Sequence, residues 1–259
     1  LWCIYLKNNN NKLCYVNYLP LWNFLIFLFL PPNTILGPIT GGSSFLKKPI
    51  LNYILRKFIF KIFYKLSILI LSLRHSKLLY STNLLRDKIK TKKTYYFNYV
   101  LKNFKFNKNN LKRKYDLIFY LRNHKNKNTD LQIKLATMLS EKYKIITVGK
   151  KIKNKKIKNF GKITRIKINN ILKQTKFAFT SSENLYSFFS IDCLQNGVYV
   201  FYKKEINVEK KIFNNIIPLN YNNYNQLIID IDKNLRNNYK KTKKIIINFE
   251  NNFKNYFKE

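Results

Sequence analysis

From residue 116 onward, short runs of continuous apolar sequence alternate with segments of helical period, and this alternation restricts the fold more than any other feature of the chain. DLIFYL at 116–121 is continuously apolar after its opening aspartate and reads as a strand covered on both faces. Residues 130–143 set Leu131, Leu135, Met138 and Leu139 at helical spacing behind the candidate caps Asn128 and Thr129. KIITV at 144–148 is the next strand, closed by Gly149. A short helix at 166–174, a strand at 177–180, a helix at 187–196 and a strand at 198–202 continue the pattern. Strands of this kind, separated by single helices, belong in a parallel sheet with helices on both faces. The expected class is α/β.

The front of the chain is less regular. Residues 1–18 are mixed and asparagine-rich and carry no assignment. LPLWNFLIFLFL at 19–30 stops at Pro31-Pro32 and has about half the length a bilayer-spanning helix needs, so it reads as a buried strand or short core segment; a membrane-inserting hairpin is the other reading. NTILGPITGGSS at 33–44 places Gly37, Gly41 and Gly42 where the backbone can turn tightly or approach a ligand. Over 49–73, Lys57, Lys61 and Lys65 recur every four residues, while Phe58, Ile59, Ile62, Phe63, Leu66, Leu69 and Ile70 cover the other side. Such a helix suits an anionic membrane surface, and it equally suits a core whose outer lysines are solvated. Short strands follow at 77–81 and 95–100, then a lysine- and asparagine-rich linker at 102–114. The expected division is a domain at 1–105, a second at 106–225, and helices at 226–236 and 243–257 in a segment, 226–259, that packs back toward the first.

With 259 residues, 46% of them apolar, the chain can bury one large or two moderate cores. A net charge of +38 ordinarily points to nucleic acid or an anionic surface. Here Lys, Asn, Ile, Phe and Tyr are abundant together, and all have A/T-rich codons, so base composition accounts for much of that charge. Cys3, Cys14 and Cys193 form no CxxC pair, and His75 and His124 have no HExxH-type neighbours, so neither a metal site nor a disulfide framework is expected. The sequence opens on Leu1 with no leader-like segment and reads as lacking its own N-terminus.

One stretch concentrates the chemistry. KFAFTSSENLYSFFSIDCLQNGVYVFY at 176–202 has the form strand, polar turn, helix, glycine, strand, and it sets Glu183 and Asp192 around one helix. In an open parallel sheet, ligands lie beyond the carboxyl ends of the strands, and a turn entering a helix start holds anions. A phosphate-bearing ligand follows. The ordered motifs FYLRNHKNKNTDLQI, IITVGK and GKITRIKINNIL, followed by Ser181-Ser182, Glu183, Asp192 and Gly197, resemble the nucleotide-sugar domain of retaining GT-B glycosyltransferases, the group that includes sucrose synthases and lipopolysaccharide mannosyltransferases. Arg122 takes the place of that domain's strand-end arginine, Lys127 that of the lysine five residues on, and Asp130 follows; Leu121 stands where the family has glycine. The family's two acids are usually glutamates eight positions apart, whereas Glu183 and Asp192 are nine apart, with Asp192 in register when counted back from Gly197. Residues 33–42 are similar to the glycine-proline loop of the acceptor domain in some of these enzymes.

The resemblance implies a GT-B-like α/β fold of two Rossmann-like parallel-sheet domains, the first incomplete. It implies transfer of a sugar, with retention, from a UDP- or GDP-linked donor to a glycan or lipid-linked acceptor in surface polysaccharide or lipopolysaccharide synthesis, without metal or cofactor. Arg122 and Lys127 would neutralise the departing diphosphate. Glu183 would hold the donor sugar's hydroxyls, Asn184 and Ser187 would mark the helix start that offers its amides, and Asp192 would meet the ribose. His124, Ser181 and Ser182 read as loop and cap residues. The expected location is the cytoplasm, peripheral on the inner membrane face through 49–73, with no nucleic-acid partner. Two rival classes are a ribosome-associated RNA-binding protein using interleaved lysines and tyrosines, and a membrane-surface structural protein. Neither explains the alternating half, its acid pair or its strand-end arginine.

Overall fold

In the computed structural model the chain divides into two units, residues 1–102 with 251–259, and residues 103–250. The structure describes residues 2–7, 13–15, 17–41, 58–81, 85, 89, 94–101, 112–123, 127–180, 185–204, 215–237 and 254–258.

The first unit runs α1 (Trp2–Lys7), β1 (Cys14–Tyr15), β2 (Leu19–Pro20), α2 (Phe24–Phe29), β3 (Ile35–Leu36), β4 (Ile39–Thr40), α3 (Ile59–Arg74), β5 (Lys77–Tyr80) and β6 (Thr94–Phe97), with a 3-10 turn at Asn98–Leu101. Strands β2, β4, β5 and β6 form a parallel sheet in that order, and β1 pairs with β3. The segment 19–30, expected as a strand or short core piece, is half helix: β2 is only two residues long, and α2 follows a turn. Packing decides this. Phe24 meets Phe63 of α3 with ring centroids 5.3 Å apart, Trp22 stacks on Phe60 at 5.7 Å, and Phe27 is buried. The helix stops at Leu30, which the following proline holds extended (φ −68°, ψ 142°).

Helix α3 divides the apolar side that was expected to lie opposite the lysines. It buries Ser67 and Leu71, whereas Ile59, Ile62, Leu66, Leu69 and Leu73 are exposed together with Lys61 and Lys65. The beginning of the expected helix, 49–57 with Lys57, lies outside the described residues. Near the C-terminus, residues 254–257 are helical; Tyr256 is buried, its hydroxyl donates to the Leu36 carbonyl, and its ring lies 5.2 Å from that of Tyr96. Among the described residues no helix is long and apolar enough to cross a membrane.

The second unit runs β7 (Tyr115–Leu121), α4 (Thr129–Leu139), β8 (Ile145–Gly149), β9 (Lys158–Asn159), α5 (Arg165–Leu172), β10 (Thr175–Phe179), α6 (Phe188–Gln195), β11 (Tyr199–Lys203), β12 (Ile216–Leu219) and α7 (Tyr224–Asn237). Its six strands are all parallel, in the order β12-β11-β10-β7-β8-β9. Numbered from β7, this is the 3-2-1-4-5-6 order of a doubly wound, Rossmann-like sheet. Alternate strand residues Leu117, Phe119, Leu121, Phe177, Phe179 and Phe201 share one core with Leu135 and Leu139 of α4 and with Leu227, Ile231 and Leu235 of α7. Phe177 stacks on Phe201 at 5.4 Å and Phe179 on Tyr221 at 4.9 Å, each pair adding about 1 kcal/mol beyond its buried area. The other face carries Tyr120, which stacks on Phe189 of α6 at 4.9 Å.

Two strands of this unit escaped the sequence reading. β9 is only two residues long, and β12 contains Pro218, tolerated because β12 lies at the sheet edge with a single partner strand. Helix α7, grouped in the sequence reading with the C-terminal tail, contributes to the core of the second unit instead; Tyr143 fastens it by donating to Asp232 Oδ1 at 2.8 Å. At the amino ends of the strands, the Arg113 fork donates to the carbonyls of Leu172 (2.7 Å), Thr175 (2.7 Å) and Asn196 (2.6 Å), tying the ends of α5 and α6 to the start of β10. The opposite, carboxyl edge is where the loops gather.

Candidate functional site

The strand order reverses between β7 and β10. The chain goes outward from β7 to β8 and β9, then crosses back to β10, so the connections leaving β7 and β10 diverge and a crevice opens at their carboxyl ends. Arg122 is the first residue past β7 and is exposed. Its carbonyl accepts from the Thr129 hydroxyl at 2.6 Å, and the Lys127 carbonyl accepts from Gln132 Nε2 at 2.7 Å. Both ends of the Arg122–Lys127 loop are therefore pinned to the first turns of α4, with Asn128 entering that helix in the left-handed region (φ 49°). His124 lies outside the described residues.

The floor beside Arg122 depends on a glycine. At Gly149 (φ 96°) an added Cβ would sit 2.1 Å from the Leu121 carbonyl oxygen, so no other residue fits without moving a strand. The Gly149 amide donates to Gly161 O at 2.8 Å, and the Lys150 amide to Leu121 O at 3.0 Å. These bonds join the end of β7 to the end of β8 and to the segment entering α5. That segment ends at Thr164, the N-cap of α5, whose hydroxyl accepts from the Lys167 amide.

On the other side of the crevice, Thr180 closes β10. Its amide and hydroxyl donate to Phe201 O at 3.2 and 2.7 Å, and its own carbonyl accepts from the Tyr221 hydroxyl at 3.2 Å. Ser187 caps α6, accepting from the Ser190 amide at 3.2 Å, with 2.7 Å between the two hydroxyls. The polar turn between them, with Ser181, Ser182, Glu183 and Asn184, lies outside the described residues. Asp192 sits on the second turn of α6, 4% exposed, and both of its oxygens accept from Arg165: Oδ1 from Nη2 at 3.0 Å and Oδ2 from Nε at 3.3 Å. Arg165 is the first residue of α5, with 60% of its side chain exposed.

The fold thus brings Arg122 and Lys127 to one side of the crevice, and Ser187 and Asp192 to the other. Sequence reasoning gave Arg165 no role, although it lies inside GKITRIKINNIL. The available signal was its type: the chain has 7 arginines against 43 lysines, so an arginine directly after a helix cap stands out from the background charge. Among the described residues, no three His, Cys, Asp or Glu side chains gather as a metal site would require.

No protein-family profile matches the sequence, and no curated protein matches it. Solved structures do. The sucrose-phosphate synthase of Thermosynechococcus elongatus is similar over 98% of this chain and 70% of its own, at 11% identity and a TM-score of 0.54. The UDP-GlcNAc 2-epimerase of Methanocaldococcus jannaschii, in complex with UDP-GlcNAc and UDP, is similar over 92% and 73%, at 16% identity and a TM-score of 0.50. TarM is similar over 93% and 54%, at 13% identity and a TM-score of 0.50. The chain spans 42% of the length of the pneumococcal O-GlcNAc transferase GtfA. Strand order and structural likeness agree: the chain has the α/β, Rossmann-like parallel-sheet architecture of GT-B proteins.

Proposed function

We propose that the second unit holds the nucleotide diphosphate part of a sugar donor, UDP- or GDP-linked, and that the protein transfers the sugar to a glycan or lipid-linked acceptor. The observation that carries this reading is the reversal of strand order between β7 and β10, which puts the Arg122–Lys127 loop across a crevice from the start of α6. Departure of a diphosphate from a sugar places negative charge on the leaving oxygen. Fixed cations and backbone amides in a crevice stabilise that charge without reorganising, and no metal is needed for it. Arg122 supplies a planar fork for phosphate oxygens and Lys127 a point charge. The start of α6 supplies backbone amides and the positive end of its dipole. Glu183 and Asn184, in the turn before that helix, face the donor in this reading, with Glu183 on the sugar hydroxyls. Retention of configuration, and a place in surface polysaccharide or lipopolysaccharide synthesis, belong to the same proposal. The nucleotide-sugar part of the proposal is supported by a solved neighbour of the same fold in complex with UDP-GlcNAc and UDP.

The acceptor side is proposed to touch lipid. The outward face of α3 carries Ile62, Leu69 and Leu73, exposed by 58%, 56% and 74%, beside Lys61 and Lys65. No Asp or Glu occurs anywhere in the sequence before Asp87, so nothing acidic in that stretch opposes an anionic headgroup. Apolar side chains entering the headgroup boundary with lysines at their flank describe peripheral contact at a membrane's inner face.

Titration calorimetry of the full chain with UDP, GDP and their sugar conjugates tests the donor reading, followed by transfer of labelled sugar to lipid-linked acceptors. Absence of binding to every one of these nucleotides overturns it. Flotation with vesicles tests the lipid contact, and equal binding to neutral and anionic vesicles refutes the charge-assisted form.

A further inference from the structure

Asp192 has the position expected of a direct nucleotide contact, yet its carboxylate is committed to a neighbouring helix. Two N–H groups of Arg165 reach its two oxygens at 3.0 and 3.3 Å, a two-pronged pairing that fixes the plane of the guanidinium. The partners differ sharply in exposure: the aspartate side chain is 6% exposed and the arginine side chain 60%. A buried anion thus anchors an outward-reaching cation. The arginine donates to Asp192 through Nε and Nη2, so Nη1 and the second hydrogen of Nη2 remain for another acceptor.

Position supports a ligand role for that outer edge. Arg165 opens α5, four residues after Gly161, whose carbonyl is bonded to Gly149; Lys150, next to Gly149, is bonded in turn to Leu121, the residue before Arg122. The start of α5 is therefore stitched to the strand ends from which the Arg122 loop leaves. Asp192 lies five residues into α6 from its cap Ser187, roughly 7 Å along the axis. An arginine reaching from α5 to that turn spans the gap between the helices flanking the crevice on this face.

We propose that Arg165 is a further diphosphate-binding residue of this site and that Asp192 is its positioning residue, holding the guanidinium in one orientation rather than meeting the ribose itself. This rests on the nucleotide-diphosphate reading above and assigns the buried acid a different task within it. A pre-oriented fork loses less side-chain freedom when it engages phosphate than a free one does. In a chain with 43 lysines, specificity for a diphosphate then comes from geometry, since charge alone is everywhere.

The test compares UDP and GDP with uridine and guanosine by calorimetry on the full chain, using wild type, Arg165→Gln, Arg165→Lys, Asp192→Asn and the double variant Arg165→Gln/Asp192→Asn. The expected result is a loss of about tenfold to a hundredfold in diphosphate affinity for Arg165→Gln, with nucleoside affinity unchanged. Asp192→Asn is expected to lose nearly as much, the double variant little more than either single one, and Arg165→Lys to recover part. A reduced dependence of UDP affinity on salt accompanies the loss in Arg165→Gln, which a purely structural role does not produce. Unchanged UDP and GDP affinity in Arg165→Gln overturns the assignment; because that variant leaves the buried Asp192 carboxylate without this cation, the double variant Arg165→Gln/Asp192→Asn reads the same loss should the single one fail to fold. Equal loss for nucleoside and diphosphate in Asp192→Asn returns that residue to the ribose and also overturns it. A wild-type protein that binds neither diphosphate instead sinks the nucleotide reading on which the proposal stands.

Discussion

The two units use the same apolar alphabet to different ends. In the second unit, strands of up to seven residues are apolar along their length and buried on both faces. In the first, no described strand exceeds four residues, and the longest described helix turns Ile62, Leu69 and Leu73 outward. Charge follows the same division: only Asp87, of 12 carboxylates, precedes residue 116. A long buried strand forces its neighbours into register, so the ends of the strands, and the site built on them, inherit that order. A short-stranded unit with outward apolar residues is suited to meeting something else.

The sharpest way to break this comparison is a matched pair of truncations. Phe177→Ala, at the centre of the second unit's ring stack, is expected to cost about 4 kcal/mol in urea unfolding, whereas Leu73→Ala on the outer face of α3 is expected to stay within about 0.5 kcal/mol. Equal costs would falsify the contrast. Gly149→Ala comes next. The Cβ contact at 2.1 Å and the positive φ together predict a loss of about 3 kcal/mol, with the ends of β7 and β8 pushed apart, so melting temperature and nucleotide affinity fall together. Arg122→Ala separates site from scaffold: nucleotide-sugar affinity drops about tenfold or more while the unfolding midpoint stays put, and an unchanged affinity removes Arg122 from the site.

The smallest effect concerns pH. The hydrogen bond from the Tyr143 hydroxyl holds the Asp232 carboxyl below its ordinary value; burial opposes it, and the charges of Arg236 and Lys142 add to the lowering. A depressed carboxylate contributes stability that is present in full above its unfolded value and is lost as pH falls through the folded one. Wild type and Asp232→Asn should therefore differ by no more than about 1 kcal/mol near neutrality and converge below about pH 4. A difference that persists at pH 2 points to packing instead of charge.

Much of the second unit was legible in advance because its strands are continuously apolar and its helices amphipathic, so type and order follow from period alone. The boundaries of β7, β8, β10 and β11 shift by one or two residues at most from those read in the sequence. What escaped depended on partners. β9 has too few residues to carry a period, and β12 hides behind Pro218, which only an edge position admits. Segment 19–30 shows apolarity without periodicity, and its rings pack against α3 as a helix. In the site, the strand-end Arg122 and the helix cap Ser187 were visible because local sequence builds a loop and a cap. Arg165 was not, because its partner is 27 residues away on another helix.

The sequence by itself determined the α/β class and the order of most elements from 116 onward, since both follow from local period and turn chemistry. Only the tertiary structure decided that β7 and β10 lie side by side, that Gly149 must be glycine, and that the acid of α6 is bound to an arginine of α5. These three are long-range facts. They are set by which strands share hydrogen bonds and which helices share a face, and no local stretch of the chain encodes either alone.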